Sequence, residues 1–534
     1  MFQYGLYTSG RRLMISDGVS VEALTQWQEA TVGSLLSQAL NRWPDRAAIR
    51  WPTPTGLKTL TWKQVWDSAA SGAAQLRADD PTPIAIFAPN SEGWYLSLWA
   101  VALSGRPLVP INPALTEREV RAILMDSGAS IVLAARDYRG RNLLEAVARL
   151  NIVDIQHLWD VDDWISATQS ATGAIGAVAP QSTFVIQYTS GTTGTPKGVM
   201  LAHRACVNAA STLIATLEPG DDETCCSPSA LHHVGALIAH ALALARIGAT
   251  YVMMNEFSAQ GFVEAAASSR ATILAGVPTM YSRVLDDPSF ADVKLPDVRV
   301  LMLGGASIPV TLVSRLESHF GARVAVMYGQ SEAPVITATR LDDPAWMKAH
   351  TVGRALPHRE IQILGVATRS PADVGQIGEI CVRTPVRMVG YLNLPDATSK
   401  AIDDEGWLHT GDLGALDVEG RLYFHGRLRE MIVRGGENIY AREVEEVIES
   451  HPRVAEVAVV GLPDSDWGEI VAAAVVPRTG ATVSADELSA WVERHLARYK
   501  RPTSWRFVDE LPMTASGKPK KFAIVEWFGA IDGN

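Results

Sequence analysis

Cysteine is scarce in this chain of 534 residues: only Cys206, Cys225, Cys226 and Cys381 occur. None shows a C-x-x-C spacing, and so few thiols cannot build a disulfide framework in so long a chain. A reducing compartment is expected, with the thiols acting as small buried apolar side chains. Positive charge is also short, 47 Lys and Arg against 58 Asp and Glu, a formal net charge of -11. That excludes a nucleic-acid partner held by bulk electrostatics, yet a small anionic nucleotide gripped by backbone amides and a few cations remains open. No apolar run of membrane length exists. The most apolar long window, Leu231 to Met254, carries His232, His233, His240 and Arg246, and reads as a buried helix, turn and strand, not an integral membrane segment. Arg11 and Arg12 are not followed by an apolar stretch with a cleavage site, so no signal peptide is expected and the expected location is cytoplasmic. Absent as well are an H-E-x-x-H motif, a Cys/His cluster of zinc spacing and a G-x-S-x-G elbow.

What is present is alternation. The length calls for two or three folding units. Helical periodicity over Val32 to Trp43, Lys63 to Leu76 and Trp94 to Leu103 alternates with short apolar runs at Ala47 to Trp51, Pro83 to Phe87 and Leu108 to Ile111. The same rhythm continues to about Arg340, with strands expected at Phe184 to Tyr188, Thr250 to Met254 and Val298 to Leu303. This is an α/β pattern, predicting a largely parallel sheet covered on both faces. Past Gly353 short strands separated by Gly, Pro and Asp predict a small antiparallel or barrel-like unit, and the last hundred or so residues a compact α+β unit. The boundary is expected near Arg427 to Glu430.

Directly after the strand Phe184 to Tyr188 comes Thr189-Ser190-Gly191-Thr192-Thr193-Gly194-Thr195-Pro196-Lys197-Gly198. Glycines permit close backbone approach, so consecutive amides can surround phosphate oxygens, while the hydroxyls add donors and Lys197 a mobile cation. It is not a Walker A loop, since Pro196 precedes the lysine and Gly198 follows it. Downstream, in order, stand Gly304-Gly305-Ala306, Tyr328-Gly329-Gln330-Ser331-Glu332, Gly406 to Asp412, Arg427 and Arg429, Gly435-Gly436-Glu437-Asn438, and Leu511 to Lys518.

These ordered motifs resemble those of the adenylate-forming (AMP-binding) superfamily, which includes acyl- and aryl-CoA synthetases, peptide-synthetase adenylation domains and beetle luciferases. The resemblance covers about residues 30 to 525. It implies a large N-terminal domain, 1–428, of parallel α/β subdomains with a β-rich unit at about 350–428, and a mobile C-terminal domain, 429–534. It further implies ATP, Mg2+ and coenzyme A as cofactors and co-substrates. Residues Ser190 to Gly194 and Lys197 would hold phosphates, and Glu332 with Thr189 would hold the metal. Gly304, Gly305, Ala306, Tyr328, Gly329 and Gln330 would lie at the adenosine, with Asp412 and Arg427 at the ribose. Asp412, between Gly411 and Gly414, is expected in a tight turn. Lys518 would bridge the acyl carboxylate and the α-phosphate. Arg429 matches the hinge, where most relatives carry Asp or Lys, and is expected to be exposed. Gly435, Gly436 and Glu437 would line the thiol channel after domain rotation.

His233 aligns with the residue that gates the acyl pocket in such enzymes. Amino-acid-activating relatives place an Asp just beyond it, whereas Val234, Gly235, Ala236 and Leu237 follow here. An ammonium would be left uncompensated. Val234, Gly235, Gly304, Ala306, Val335 and Ile336 instead suggest an apolar pocket for a fatty, aryl or alicyclic acid. No carrier-like Ser context follows Lys518, which favours free coenzyme A as acceptor. A stand-alone ligase loading a carrier protein, a non-catalytic nucleotide-binding relative and luciferase-like oxidation are the alternatives. A homodimer is compatible with the sequence, which carries no signal for or against it.

Overall fold

The computed structural model describes residues 14–15, 19–53, 56–76, 80–167, 177–189, 196–305, 308–513 and 519–529. Among these residues, two large sheets, a four-stranded antiparallel sheet and a C-terminal five-stranded sheet carry the architecture. In the first large sheet, of seven strands, Ile84–Phe87 lies between Leu108–Ile111 and Ile131–Ala134, all parallel. Each of those strands is buried along its whole length, as a sheet covered on both faces requires. Thr183–Thr189 joins this sheet in parallel, and Lys197–Ala202 and Gly390–Tyr391 extend it antiparallel to one edge.

The second large sheet, of nine strands, has parallel Thr224–Ser227, Thr250–Met253, Ile273–Gly276, Val300–Gly304 and Arg323–Gln330 at its centre. Its edges are antiparallel: Gly56–Thr61 on one side, Ala333–Ala338 and Arg354–Ala355 on the other. Between the large sheets helix Glu92–Ser104 is buried from Gly93 to Ser104, which explains why its sequence shows no polar face. The fold class expected from alternation is therefore the observed one.

The unit expected past Gly353 to be antiparallel or barrel-like is an open antiparallel sheet in the order Glu360–Leu364, Gly378–Arg383, Trp407–Leu416, Leu422–Arg427. In the C-terminal sheet Val454–Asp464 and Gly468–Pro477 pair along their length, and helices Ala441–Glu449 and Ala485–Glu493 bury Val444, Ile448, Leu488 and Val492 in its core. No helix among the described residues is long and apolar enough to cross a membrane.

Candidate active site

The strands on either side of the phosphate-loop motif pair with each other. Thr183–Thr189 and Lys197–Ala202 pair antiparallel, with Thr189 opposite Lys197 and Tyr188 opposite Gly198. The register brings Thr189 and Lys197 side by side. The phenol of Tyr188 donates to Asp126 Oδ2 at 2.6 Å, and Asn393 Nδ2 donates to the Asp126 carbonyl at 3.0 Å. The strand pair is thus pinned to helix Glu117–Ser127.

The second sheet supplies the residues expected at the adenosine. Gly304 ends its strand directly beside Met327 of the neighbouring parallel strand, so Gly305 and Tyr328 emerge together at the carboxyl ends of the strands. Open α/β sheets place their ligands there. The strand Arg323–Gln330 continues three residues past Met327, and Gln330 pairs with Ala333. Ser331 and Glu332 therefore form a two-residue turn that holds Glu332 at the sheet edge. Its carboxylate Oε1 accepts a hydrogen bond from the Tyr391 phenol at 2.9 Å, and its carbonyl accepts the Met388 amide at 2.7 Å. Tyr391 also carries Lys197 Nζ 5.0 Å from its ring centroid. One aromatic side chain thereby joins the lysine of the phosphate loop to the carboxylate of the turn.

The antiparallel sheet contributes Asp412, and here the structure corrects the expectation of a tight turn. Asp412 lies inside the strand Trp407–Leu416, opposite Arg427. The flanking glycines mark an irregularity in pairing between Leu413 and Gly414, and a close approach: a Cβ on Gly414 would sit 2.7 Å from the Tyr423 carbonyl. Asp412 Oδ2 accepts the Tyr328 phenol at 2.8 Å and Arg427 Nε stands 3.6 Å from Oδ1. Burial and the Asp412 charge push the Tyr328 phenol up, so it remains a neutral donor. Gln330 Nε2 reaches the Thr410 carbonyl at 3.5 Å, a second tie between the two sheets.

On the acyl side, His233 caps the short helix Val234–Ala236, and its ring lies 4.4 Å from that of His232. Burial and His233 hold His232 well below the ordinary imidazole range, so it is neutral. Val234, Val335 and Ile336 are buried, and the helix packs on the strand Ala333–Ala338. Gly235 faces open space. The helix expected in this window contains a π-helical turn, Leu237–Leu242, a form that recurs at functional sites.

Arg427 is followed by a 3-10 turn, Leu428–Glu430, that leads into the C-terminal sheet and carries the exposed Arg429. Glu430 is held by Lys521 Nζ at 3.0 Å, which also pairs with Glu445 at 2.7 Å. Gly435 and Gly436, both with positive φ, turn a hairpin in which Arg434 pairs with Glu437. That hairpin belongs to the C-terminal sheet, not to the three that carry the other candidate residues.

A family model for AMP-binding enzyme matches residues 36–392, and one for the AMP-binding enzyme C-terminal domain matches residues 443–518. The chain belongs to the AMP-binding enzyme family. The 3-[(3aS,4S,7aS)-7a-methyl-1,5-dioxo-octahydro-1H-inden-4-yl]propanoyl:CoA ligase of Rhodococcus jostii (strain RHA1) is 33% identical over 524 residues, covering 93% of this chain and 99% of that one. Feruloyl-CoA synthase of Amycolatopsis sp is 33% identical over 503 residues, 92% of this chain and all of the other (100%). Among solved structures, ATP-bound MatB from Rhodopseudomonas palustris matches with a TM-score of 0.85 at 25% identity, covering 94% of this chain and 100% of that one. This AMP-binding enzyme is an acyl-CoA synthetase, an acid–thiol ligase of the AMP-forming kind.

Of the residues singled out in this acyl-CoA synthetase, Ser190, Gly191, Thr192, Thr193, Gly194, Ala306 and Lys518 lie outside the described residues. The others that the resemblance assigns to nucleotide and metal converge where the three sheets meet. Glu332 and Thr189 offer hard oxygen donors, and one oxygen of Glu332 is already oriented by a neutral phenol. That donor set fits Mg2+.

Two features escaped the sequence reading. Tyr391 is one, because a contact across a strand pair leaves no motif. The other is a cluster of Glu379, Cys381 and His409, whose ligand-type atoms lie within 4.8 Å of one another. No Cys/His spacing announced it, because Cys381 and His409 meet only through strand register. Arg369 Nη1, 2.6 Å from Glu379 Oε2, already supplies positive charge there. Glu379 Oε1 accepts the Gly411 amide at 3.2 Å, which braces the strand just before Asp412.

Proposed function

We propose that this acyl-CoA synthetase works in two steps on an apolar carboxylic acid. In the first, a carboxylate oxygen attacks the α-phosphorus of ATP, the bond to the β-phosphate oxygen breaks, and acyl-AMP and pyrophosphate form. In the second, the sulfur of coenzyme A attacks the acyl carbon, the bond to AMP breaks, and the thiol proton passes to solvent. The convergence of Lys197, Glu332 and the Tyr328–Asp412–Arg427 group at one meeting point of three sheets is the observation that carries this reading.

Each residue has a chemical task. Two anions must approach in the first step, so cations and amide dipoles have to stand at the developing charge. Lys197 and the amides of Ser190 to Gly194 hold the phosphates. Glu332 and Thr189 would hold magnesium with bound ATP, and the ion would supply charge withdrawal from the phosphate oxygens. Asp412 accepts from the ribose hydroxyls with Arg427 alongside, and Gly304, Gly305, Ala306, Tyr328, Gly329 and Gln330 border the base. Lys518 donates to the oxygen between acyl group and α-phosphate. Residues 429–534 then turn about Arg429 as the C-terminal domain and present Gly435, Gly436 and Glu437 to the thiol.

The substrate is an acid with an aliphatic, aryl or alicyclic tail. The apolar wall of Val234, Val335 and Ile336 around His233 offers no carboxylate to an ammonium group. The names of the two relatives, one for a bicyclic propanoate and one for ferulate, support a ring-bearing acid.

Pyrophosphate release from ATP and Mg2+ with a panel of such acids, with and without coenzyme A, tests the reading. Acid-dependent release, raised by coenzyme A and cut at least about 10²-fold by K518A, is the expected result. Release indifferent to coenzyme A would transfer the acceptor role to a carrier-protein thiol. ATP binding without release for any acid would leave a nucleotide-binding protein without ligase chemistry.

A further inference from the structure

We propose that Tyr391 is a positioning residue that aims the Glu332 carboxylate at the divalent cation and seats the Lys197 ammonium beside it. The inference rests on the reading of Glu332 as a metal ligand.

The strand register makes this contact unavoidable. Gly390–Tyr391 pairs antiparallel to Lys197–Ala202 with Tyr391 opposite Val199. Residues two apart on a strand share a face, so Lys197 and Val199 point the same way as Tyr391, and Lys197 is its diagonal neighbour. The ammonium lies 5.0 Å from the ring centroid, within the range of a cation–π contact. The segment holding Tyr391 is itself fixed. Val389 donates its amide to the Met200 carbonyl at 2.8 Å, and Leu392 donates to that of Gly198 at 2.8 Å. The Tyr391 amide donates to Thr398 Oγ1 at 2.9 Å.

The same segment grips Glu332 twice, through the Met388 amide on its carbonyl and the Tyr391 phenol on Oε1. A phenol suits this task because it fixes one carboxylate oxygen without neutralising the charge, leaving Oε2 for the metal. A lysine in its place would compete with the cation. Hydrogen-bond donors behind metal-binding carboxylates contribute about 10- to 100-fold in metal affinity.

The test is Mn2+ binding to the full-length protein in the presence of α,β-methylene-ATP, followed by the paramagnetic resonance of free Mn2+. Y391F, which keeps the ring and loses the hydroxyl, is expected to bind Mn2+ about 10- to 100-fold more weakly. Its pyrophosphate release should need correspondingly more Mg2+, with little change in KM for ATP once Mg2+ saturates. Y391L should raise KM for ATP as well, because Lys197 loses its seat. In an E332Q background, Y391F should cost nothing further, since the hydroxyl acts through that carboxylate. Equal Mn2+ affinity in wild type and Y391F overturns the proposal, as does a fully additive loss in E332Q/Y391F. If Y391F fails to fold, wild-type Mn2+ affinity in Y391L, which has no donor and is judged folded by its melting curve, overturns it equally. Wild-type affinity in E332Q alone, or no acid-dependent release by the wild type, would instead strike the metal-ligand reading or the ligase reading.

Discussion

Gly329 shows how narrowly the turn at Glu332 is determined. A Cβ at this position would lie 2.4 Å from the backbone nitrogen of Val335 and 3.0 Å from its Cα. The obstacle is backbone, so no rotamer change relieves it. Val335 is itself held at φ 49°, a region costly for a β-branched residue, while its carbonyl accepts Arg359 Nε at 3.1 Å. The structure stores strain at Val335, three residues beyond Glu332, and leaves the turn no slack. G329A should therefore shift Tyr328 and Glu332 together and lower kcat/KM by about 10²-fold, the order expected for a misplacement near 1 Å. Steady-state kinetics with ATP as the varied substrate checks it. Activity within about twofold of wild type would mean that the turn relaxes freely.

At the scale of elements, the antiparallel sheet carries Asp412 on a strand that Glu379 braces from its neighbour. Only 5% of the Glu379 side chain is exposed, and its oxygens accept from Arg369 and the Gly411 amide, with His409 Nδ1 3.3 Å from Oε2. E379Q would set a donor amide against at least one of these donors and leave it unsatisfied, at a cost of about 1–3 kcal/mol. The melting temperature of the large unit should fall by roughly 2–8 °C, and KM for ATP should rise more than KM for the acid if Asp412 holds the ribose as proposed. An equal rise in both would indicate general loosening and not a brace for Asp412.

Which parts of this were legible follows from what each depends on. Alternation of helix and strand follows from burial on two faces, which composition records, so the parallel strands stand where their apolar runs do. Gly435 and Gly436 stand where the C-terminal hairpin turns with positive φ, a conformation that needs glycine. Asp412 was misread because glycine also marks a bulge and a close approach, and local sequence does not distinguish these from a turn. Tyr391, Glu379 and His409 were invisible for a different reason. Their partners Glu332, Arg369 and Cys381 lie 59, 10 and 28 residues away and are brought to them only in the assembled fold.

Over the whole molecule, the two families of buried titratable groups should answer acid in opposite directions. In the large unit His203 and His240 are held at about 4, against an ordinary 6.5, by burial. Neutral His203 accepts the Val32 amide at 3.2 Å where helix Val32–Arg42 begins, and His240 Nε2 meets Ser227 Oγ at 3.1 Å. Between these values the unfolded chain binds protons that the folded chain refuses. Their stabilisation is complete above 6.5 and is lost as pH falls through 6.5 toward 4, about 0.8 kcal/mol per histidine by about pH 6.

In the C-terminal unit Glu449 is pushed up to about 7 by burial, against the pull of Arg442 and with the help of Glu445 and of Glu446, which shares Arg442 with it. Here the folded chain keeps a proton the unfolded chain has released, so stability is present below the ordinary carboxylate range and is lost as pH rises through about 7. With 27% of that side chain exposed, solvent screens part of the effect. Calorimetry at about pH 8 and about pH 6 should resolve two transitions, the larger moving down and the smaller moving up on acidification. H203N keeps an acceptor for the Val32 amide and should reduce the first shift, whereas E449Q should abolish most of the second. Movement of both transitions in the same direction would mean that the surface charge of the whole chain outweighs these buried groups.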